Sequence, residues 1–293
     1  MRPLDIERLC GMIVPGAGGI DVQPLGAGLL SETYLVARAG ARYVLKVAAE
    51  HRPNIELGPG WEASVLECAG NAGLAPHLVY SDPRRGVLLA QWAAGRTWTA
   101  RDAAGPDGSR RIAGLLRRVH GLAVPAPPRT FSPARWIEMY GAALEPCGPQ
   151  AGDSALLSAA AARAHEFSRL PATPGVLCHS DLHAMNLIDQ DGGLILLDWE
   201  YAHVTDRLWD LAGWSANNDL DPQAQSAFLA AYLGGAPRPS QWQRLRQLLW
   251  LYDYVCLLWS RLYLSLRGAG NAAIAERARL LDARLRLPAN YAA

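Results

Sequence analysis

Along the first third of the chain apolar and polar residues alternate, and along the rest apolar residues recur every three or four positions. Alternation, the period of a half-buried strand, is clearest over Arg42–Ala48, and strands are expected near Val22–Leu25, Glu32–Ala37, Tyr43–Ala48, His77–Ser81 and Val87–Trp92. One helix interrupts them, because Trp61, Val65, Leu66 and Ala69 form a stripe with helical spacing. The later periodicity predicts helices over Ser109–Gly121, Pro133–Leu144, Ser154–Arg169, Asp206–Asn217, Pro222–Leu233, Ser240–Leu266 and Ala272–Arg286. Proline, glycine and threonine mark a loop up to Gly108, and Pro125, Pro127 and Pro128 a short stiff connector. The pattern is that of an α+β chain, β-rich first and helical afterwards, with no internal repeat.

The stretch from Val176 to Ala202 breaks this rhythm. An apolar run (Val176 to Cys178) leads into the polar loop H-S-D-L-H-A-M-N. A hairpin follows through Leu187 and Ile188, turns at Asp191-Gly192-Gly193, and returns along Leu194–Leu197 to Asp198. His179, Asp181, Asn186 and Asp198 are thereby spaced as phosphoryl transfer requires, with oxygen and amide groups converging on one point. Asp181 would accept the proton of a substrate hydroxyl. Asn186, at the loop's exit, would reach a magnesium ion beneath the phosphates, and Asp198 would close the cage from the far strand. Magnesium keeps several waters and takes one or two carboxylates plus substrate phosphates, so this sparse set suffices. Protein kinases use a similar loop, with a base Asp, an Asn five residues later and a separate metal-binding Asp.

Only one of the 28 Lys and Arg residues is a lysine. Lys46 sits in the alternating segment Arg42-Tyr-Val-Leu-Lys-Val-Ala48, about 130 residues before the loop, where kinase folds place the lysine that holds the α and β phosphates. An ammonium is a compact point charge and a guanidinium a broad planar fork, so the two do not interchange in a tight phosphate pocket. Upstream, the segment Pro24 to Val36 reads as strand, turn and strand pivoting on Gly26 and Gly28. A glycine turn lets backbone amides approach phosphate oxygens, with Ser31 or Thr33 adding a hydroxyl. A Gly-x-Gly hairpin is also an ordinary turn, and the third glycine of protein-kinase loops is missing. Glu62 and Glu67 are the carboxylates available to Lys46 on the following helix. Glu62 is preferred, because it lies near the N-terminus, where the helix dipole favours an anion.

The segments His179-Ser-Asp-Leu-His-Ala-Met-Asn186, Leu197-Asp-Trp-Glu-Tyr-Ala202 and Asp206-Arg-Leu-Trp-Asp-Leu-Ala212 resemble the aminoglycoside phosphotransferase and choline kinase superfamily. Gly73-Leu-Ala-Pro76 and Ser81–Trp92 do so too, and the resemblance covers nearly the whole chain. Asp-Trp-Glu-Tyr-Ala is similar to the choline, ethanolamine and thiamine kinase branch and His183 to thiamine kinases, whereas Gly26-Ala-Gly-Leu-Leu-Ser departs from the choline kinase loop. The resemblance implies a two-lobed protein-kinase-like fold. Residues 1–92 would form a small antiparallel β lobe with one helix that binds nucleotide, and residues 93–293 a larger, mostly helical lobe for catalysis and substrate. The segment Gln91-Trp-Ala-Ala-Gly95 becomes a hinge whose backbone would bond adenine. Gln91 and Trp92 thus join Gly26, Gly28, Ser31, Thr33, Lys46 and Glu62 as nucleotide-binding candidates. The resemblance further implies ATP, magnesium and a small alcohol acceptor. Asp181 would be the base with His179 beside it, Asn186 and Asp198 the metal ligands, and Lys46 the phosphate anchor.

Composition narrows the remaining choices. A net charge of +1 makes no electrostatic case for nucleic acid. Five scattered cysteines without Cys-x-x-Cys suggest neither zinc nor a disulfide framework, and they read as thiols of a cytoplasmic protein. Charges within Met1-Arg-Pro-Leu-Asp-Ile-Glu-Arg speak against a signal peptide, and the longest apolar stretch, Leu248–Trp259, contains Asp253 and is shorter than the ~20 residues of a membrane span. A monomer and a homodimer are equally compatible with the chain. For the acceptor, ten Trp and ten Tyr against three Phe point to aromatics after Asp198, among them Trp209, Trp214, Trp250 and Tyr254. Trp250 and Tyr254 are four apart on one helix face with Asp253 beside them, an arrangement expected to bind a cationic headgroup through cation–π contacts. The same rings would equally fill a helical core. His183 is expected either to touch substrate or to orient the loop, Glu200 to meet solvent, metal or substrate, and Asp210 to anchor the loop as a buried carboxylate.

The expected reaction is transfer of the ATP γ-phosphoryl group to a small alcohol. A protein kinase is disfavoured by Ser180 in place of arginine, by Trp199-Glu200 after Asp198 and by the lack of Ala-Pro-Glu. An aminoglycoside O-phosphotransferase would need a broad acidic pocket, to which Asp189, Asp191, Asp219 and Asp221 could contribute. A non-catalytic nucleotide-binding module is disfavoured by the full set of base, metal ligands and lysine. The lack of Gly-x-x-x-x-Gly-Lys excludes a P-loop enzyme.

Overall fold

The computed structural model describes residues 3–50, 53, 55, 57–148, 154–191, 193–268, 270–287 and 291. The chain divides into two compact units, Met1–Thr97 with Asn186–Tyr201, and Trp98–Met185 with Ala202–Ala293. The first contains helix α1 (Pro3–Ile13), strands β1 (Ile20–Ala27), β2 (Ser31–Arg38) and β3 (Ala41–Ala48), helix α2 (Pro59–Asn71), and strands β4 (Leu78–Asp82) and β5 (Val87–Gln91). The five strands form an antiparallel sheet in the order β1-β2-β3-β5-β4. Strand alternation sorts the side chains: Val36, Leu45, Val47, Val87 and Leu89 join one buried cluster with Ile6, Leu9 and Cys10 of α1. Those three α1 residues carry helical spacing, yet α1 was not among the expected helices. The intervening Lys46, paired in register with Thr33 of β2 on one side and Leu88 of β5 on the other, lines the sheet's other face with them.

The expected hairpin forms and belongs to this unit. Strands β8 (Leu187–Gln190) and β9 (Gly193–Leu196) pair, and β6 (Arg96–Thr97) adds to the edge of β8. Gly192 of the predicted turn lies outside the described residues. Gly95, at φ +146°, lets the chain pass over this hairpin, where a Cβ would collide with the Asp189 carbonyl and the Ile188 side chain.

The second unit is helical apart from a short antiparallel pair, β7 (Val176–Cys178) with β10 (His203–Thr205). Its helices are α3 (Ala100–Ala104), α4 (Pro106–Val119), α5 (Pro133–Leu144), α6 (Ser154–Ser168), α7 (Leu208–Asn217), α8 (Pro222–Leu233), α9 (Pro239–Arg267) and α10 (Ala272–Leu285). Long α9 is the axis on which α5, α6, α7 and α10 pack. The expected loop up to Gly108 is partly replaced by α3 and the start of α4. The Asp102 carboxylate accepts the Thr99 backbone N–H and hydroxyl and so closes the first turn. The fold class is α+β. Among the described residues no helix is long and apolar enough to cross a membrane.

Candidate functional site

Strand β3 carries Lys46 to the sheet face opposite α1, and three carboxylates meet its ammonium. Glu62 Oε1 lies at 2.7 Å, Asp198 Oδ1 at 2.6 Å and Glu200 Oε2 at 2.6 Å. Helix α2 starts with Pro59 at its first position and carries Glu62 in its first turn, buried against the sheet, whereas Glu67 points to solvent. Burial pulls the Lys46 ammonium towards neutrality, but Asp198, Glu200 and Glu62 outweigh it and hold its pKa well above the ordinary value. Burial also pushes Glu62 up, with Lys46 opposing and Asp198 reinforcing. It pushes Glu200 up to about 8. Three carboxylates around one ammonium leave negative charge in excess, and the ligand oxygens of Glu62, Asp198 and Glu200 all lie within 4.8 Å of one another. An all-oxygen, anionic donor set of this kind fits a hard divalent cation.

The hairpin brings Asn186 and Asp198 to the same place. Leu187 pairs with Leu196, and the Leu197 amide donates to the Asn186 carbonyl at 2.8 Å, which fixes the residues flanking both ends of the hairpin. Asp198 sits at φ +61°, a left-handed conformation that a non-glycine residue holds only when its surroundings impose it. A cavity of about 370 Å³ opens beside this cluster. Thr33, Lys46, Glu62, Asn186 and Asp198 form its polar side, and Val44, Leu88, Ala90, Ile188 and Trp199 are among its apolar walls. Gln91 and Trp92 line it too, with the Arg42 guanidinium stacked 5.1 Å from the Trp92 ring centre. Ser31 lines a small adjoining recess with Lys46, Glu62 and Glu200, and its hydroxyl is 3.4 Å from the Glu200 carboxylate. Gly26 and Gly28 line neither space. The Gly28 amide instead donates to the Ser31 carbonyl and closes the turn.

The loop after β7 belongs to the second unit. Its anchor is Asp210, fully buried on α7. Its carboxylate accepts the His179 amide at 2.9 Å and the Ser180 amide at 2.7 Å, and it pairs with His120 Nε2 at 3.0 Å. Burial pushes this carboxyl up, but the His120 hydrogen bond and neighbouring charges hold it below the usual range. Ser180 has φ +72°. Its Oγ lies 3.0 Å from His203 Nδ1, while Trp136 Nε1 donates to His203 Nε2 at 3.2 Å. Because the indole can only donate, His203 Nε2 is bare and Nδ1 carries the proton that bonds Ser180. His179 is fully buried, and its Nδ1 accepts the Asp181 amide at 3.3 Å, so it shapes the loop from inside. Asp181 is partly open to solvent, with His183 Nε2 at 3.7 Å from its carboxylate. The chain crosses from the second unit to the first between Met185 and Asn186.

The aromatic substrate candidates are elsewhere. Trp209 and Trp214 are buried on α7, and Trp250 and Tyr254 are buried and stacked on α9 with ring centres 5.5 Å apart. Trp250 Nε1 donates to the Leu285 carbonyl, and Arg163 covers its other neighbourhood at 4.8 Å from the ring centre. Asp253 is buried in an ion pair with Arg284 and accepts the Tyr291 hydroxyl. The expectation of a headgroup pocket here therefore gives way to packing: the i, i+4 spacing put the rings together, but in the helical core. Three of the four acidic residues considered for a polycation pocket are engaged separately, Asp189 with Arg96, Asp219 with Arg284, and Asp221 as the N-cap of α8, and Asp191 is exposed at the hairpin turn. Sequence reasoning missed His120 and His203. Single histidines just past a helix end and in a three-residue strand carry no local signal of the loop they support.

The family model of the phosphotransferase enzyme family (APH) matches residues 21–248 of this chain. Comparison with curated protein sequences gives no match. Solved structures share the fold across nearly the whole chain. A choline/ethanolamine kinase family protein from Mesorhizobium loti superposes with a TM-score of 0.76 at 23% identity, covering 99% of this chain and 97% of its own. Choline kinase LicA from Streptococcus pneumoniae gives 0.78 at 19% identity, covering 97% and 98%. The amicoumacin kinase hAmiN, in complex with AMP-PNP, Ca2+ and Ami, gives 0.71 at 16% identity, covering 97% and 93%. The family match and the shared fold identify a kinase-like phosphotransferase. The chain belongs to the phosphotransferase enzyme family (APH), and its fold is shared with choline kinases.

Proposed function

We propose that this enzyme transfers the γ-phosphoryl group of ATP to the hydroxyl of a small alcohol of the choline, ethanolamine or thiamine type. The observation that carries the reading is the chain's one lysine, set in a cluster of three carboxylates on the wall of a cavity that Asn186 and Asp198 also line. Residues 1–92 are read as the nucleotide-binding lobe and 93–293 as the lobe of catalysis and substrate. Adenine would lie against the apolar walls near Gln91 and Trp92, with Thr33 and Lys46 towards the phosphates. Glu62 keeps the lysine aimed. Asn186 and Asp198 would hold a magnesium ion, with Glu200 adjacent. When bound, that ion supplies neutralisation of phosphate charge.

Asp181 orients the acceptor hydroxyl and takes its proton as the oxygen bonds to the γ-phosphorus and the β–γ bridging bond breaks, leaving a phosphate ester and ADP. Burial pushes the Asp181 carboxyl up, but the nearby His183 imidazole, with His179 and Arg277, holds it below the usual range, so it is ionised at neutral pH. A base held this low acts mainly by orientation and receives the proton late. The choline, ethanolamine and thiamine type of acceptor rests on Asp198-Trp-Glu-Tyr-Ala202 and on the fold shared with the choline kinases. Because a kinase for an antibiotic, amicoumacin, shares the fold as well, an antibiotic hydroxyl is the second acceptor class. Five scattered cysteines without a Cys-x-x-Cys pair are in keeping with a cytoplasmic setting.

A coupled ADP-release assay with choline, ethanolamine, thiamine, a sugar panel and kanamycin tests the reading. Acceptor-dependent release that requires a divalent cation is expected, with Asp181→Asn lowering turnover by roughly 10²- to 10⁴-fold while ATP binding holds. No release with choline, ethanolamine or thiamine would reject the acceptor class. No release with any acceptor would return the chain to a nucleotide-binding module.

A further inference from the structure

Ser180 and Leu182 flank Asp181, and the carbonyls of both are held from outside the loop. The Tyr252 hydroxyl, on α9, donates to the Ser180 carbonyl at 3.3 Å, and Asn217 Nδ2, at the end of α7, donates to the Leu182 carbonyl at 3.0 Å. Asn217 Nδ2 also donates to the Tyr252 oxygen at 2.9 Å, so its two N–H groups are both spent and the two clamps are joined. Its amide orientation is set by Arg277 of α10, which donates to Oδ1 at 2.7 Å. Every polar group of strained Ser180 is thus fixed: its amide by Asp210, its hydroxyl by His203 and its carbonyl by Tyr252. A left-handed serine persists only under such constraint. Gly213 makes room for the clamp, since a Cβ there would stand 2.9 Å from the Tyr252 ring.

We propose that Asn217 and Tyr252, latched by Arg277, are positioning residues that hold Asp181 in its productive geometry by fixing the carbonyl on either side of it. This rests on the reading of Asp181 as the base. The groups facing Asp181 are His179 and His183 of its own loop, Tyr252 and Cys256 of α9, and Arg277 of α10. The clamp therefore brings in, through Arg277, one of the charges that keep Asp181 ionised.

The test uses Tyr252→Phe, which removes one hydroxyl and keeps the ring, Asn217→Leu, their double variant, and Arg277→Met beside Arg277→Lys. A misplacement on the order of 1 Å costs about 10²-fold in rate. The single variants are accordingly expected to lower kcat by about 10- to 10²-fold with the KM for ATP unchanged, and the double variant to lose less than the product of the two. Arg277→Met is expected to move the acid limb of kcat/KM to higher pH, and Arg277→Lys to restore it. Hydrogen exchange of the full chain gives a readout that needs no acceptor: the peptide spanning residues 179–185 is expected to exchange faster in Tyr252→Phe and Asn217→Leu while α4 and α8 keep their protection. Unchanged exchange of that peptide overturns the proposal, as does loosening shared by all helices. Absence of turnover in the unsubstituted enzyme with every acceptor would remove the proposed reaction, and the exchange result would still decide the clamp.

Discussion

Lys46 shows what one residue's shape contributes. In a chain that otherwise uses arginine for its long basic side chains, the one ammonium sits where three carboxylate oxygens approach within 2.6 to 2.7 Å. Three donors on a single nitrogen can serve three acceptors arriving from different directions, whereas a guanidinium spreads its donors in one plane. Lys46→Arg keeps the charge and loses that convergence, so Glu62, Asp198 or Glu200 must swing away. A hydrogen bond to a charged group contributes about 1.5–3 kcal/mol, so the KM for ATP is expected to rise by about 10- to 10²-fold with the fold retained by circular dichroism. An unchanged KM would remove Lys46 from the phosphate site.

At the scale of elements, a linker can be as constrained as a strand. Gly95 leads into β6 as the chain crosses β8, at a φ of +146° and with no room for a Cβ beneath the Asp189 carbonyl. Gly95→Ala is expected to break the β6 to β8 pairing and distort the cavity wall. The loss should be about 2 kcal/mol or more in chemical denaturation, since both the conformation and the space are lost; a change within 0.5 kcal/mol would contradict the geometry, as would unaltered nucleotide affinity. Elements with a period or punctuation were readable in the sequence. Strand β3 alternates and β5 is a short apolar run, and α5 and α8 begin with Ser132-Pro133 and Asp221-Pro222, caps whose side chains accept the amides three residues on. The short elements β6, β7 and β10 have too few residues for a period, and pairing with distant segments makes them strands. Candidate site residues follow the same division. Lys46, Glu62, Asn186 and Asp198 announce themselves through local pattern and spacing, while the supports of the loop at His120, His203, Asn217 and Tyr252 depend on contacts far along the chain. Spacing alone also could not tell a buried ring pair at Trp250 and Tyr254 from an open one.

For the molecule as a whole, the cluster around Lys46 sets a pH dependence of stability. Glu62 and Glu200 have folded pKa values above their unfolded value of 4.5, Glu200 at about 8, so between those limits the folded state holds more protons than the unfolded one. The contribution of Glu200 to stability is therefore fully present below pH 4.5 and declines as pH rises to about 8, and that of Glu62 likewise declines above pH 4.5. Asp181 and Asp210 act in the opposite sense. Their folded values lie below the unfolded 3.8, so their contribution is present above that pH and lost on acidification through the folded values. Lys46, raised above 10.5, keeps its full contribution throughout this range and loses it only as pH climbs through its folded value. The variant Glu200→Gln isolates the effect by difference. Without divalent cations, the gain in Tm of Glu200→Gln over the unsubstituted protein should grow from pH 5 to pH 8, since only the carboxylate acquires a buried charge. Adding magnesium should shrink that difference, because a bound cation compensates Glu200 and has less to offer glutamine. A difference that stays constant with pH in scanning calorimetry would show that Glu200 titrates as it does in the unfolded chain, and that the three carboxylates do not share one enclosed site.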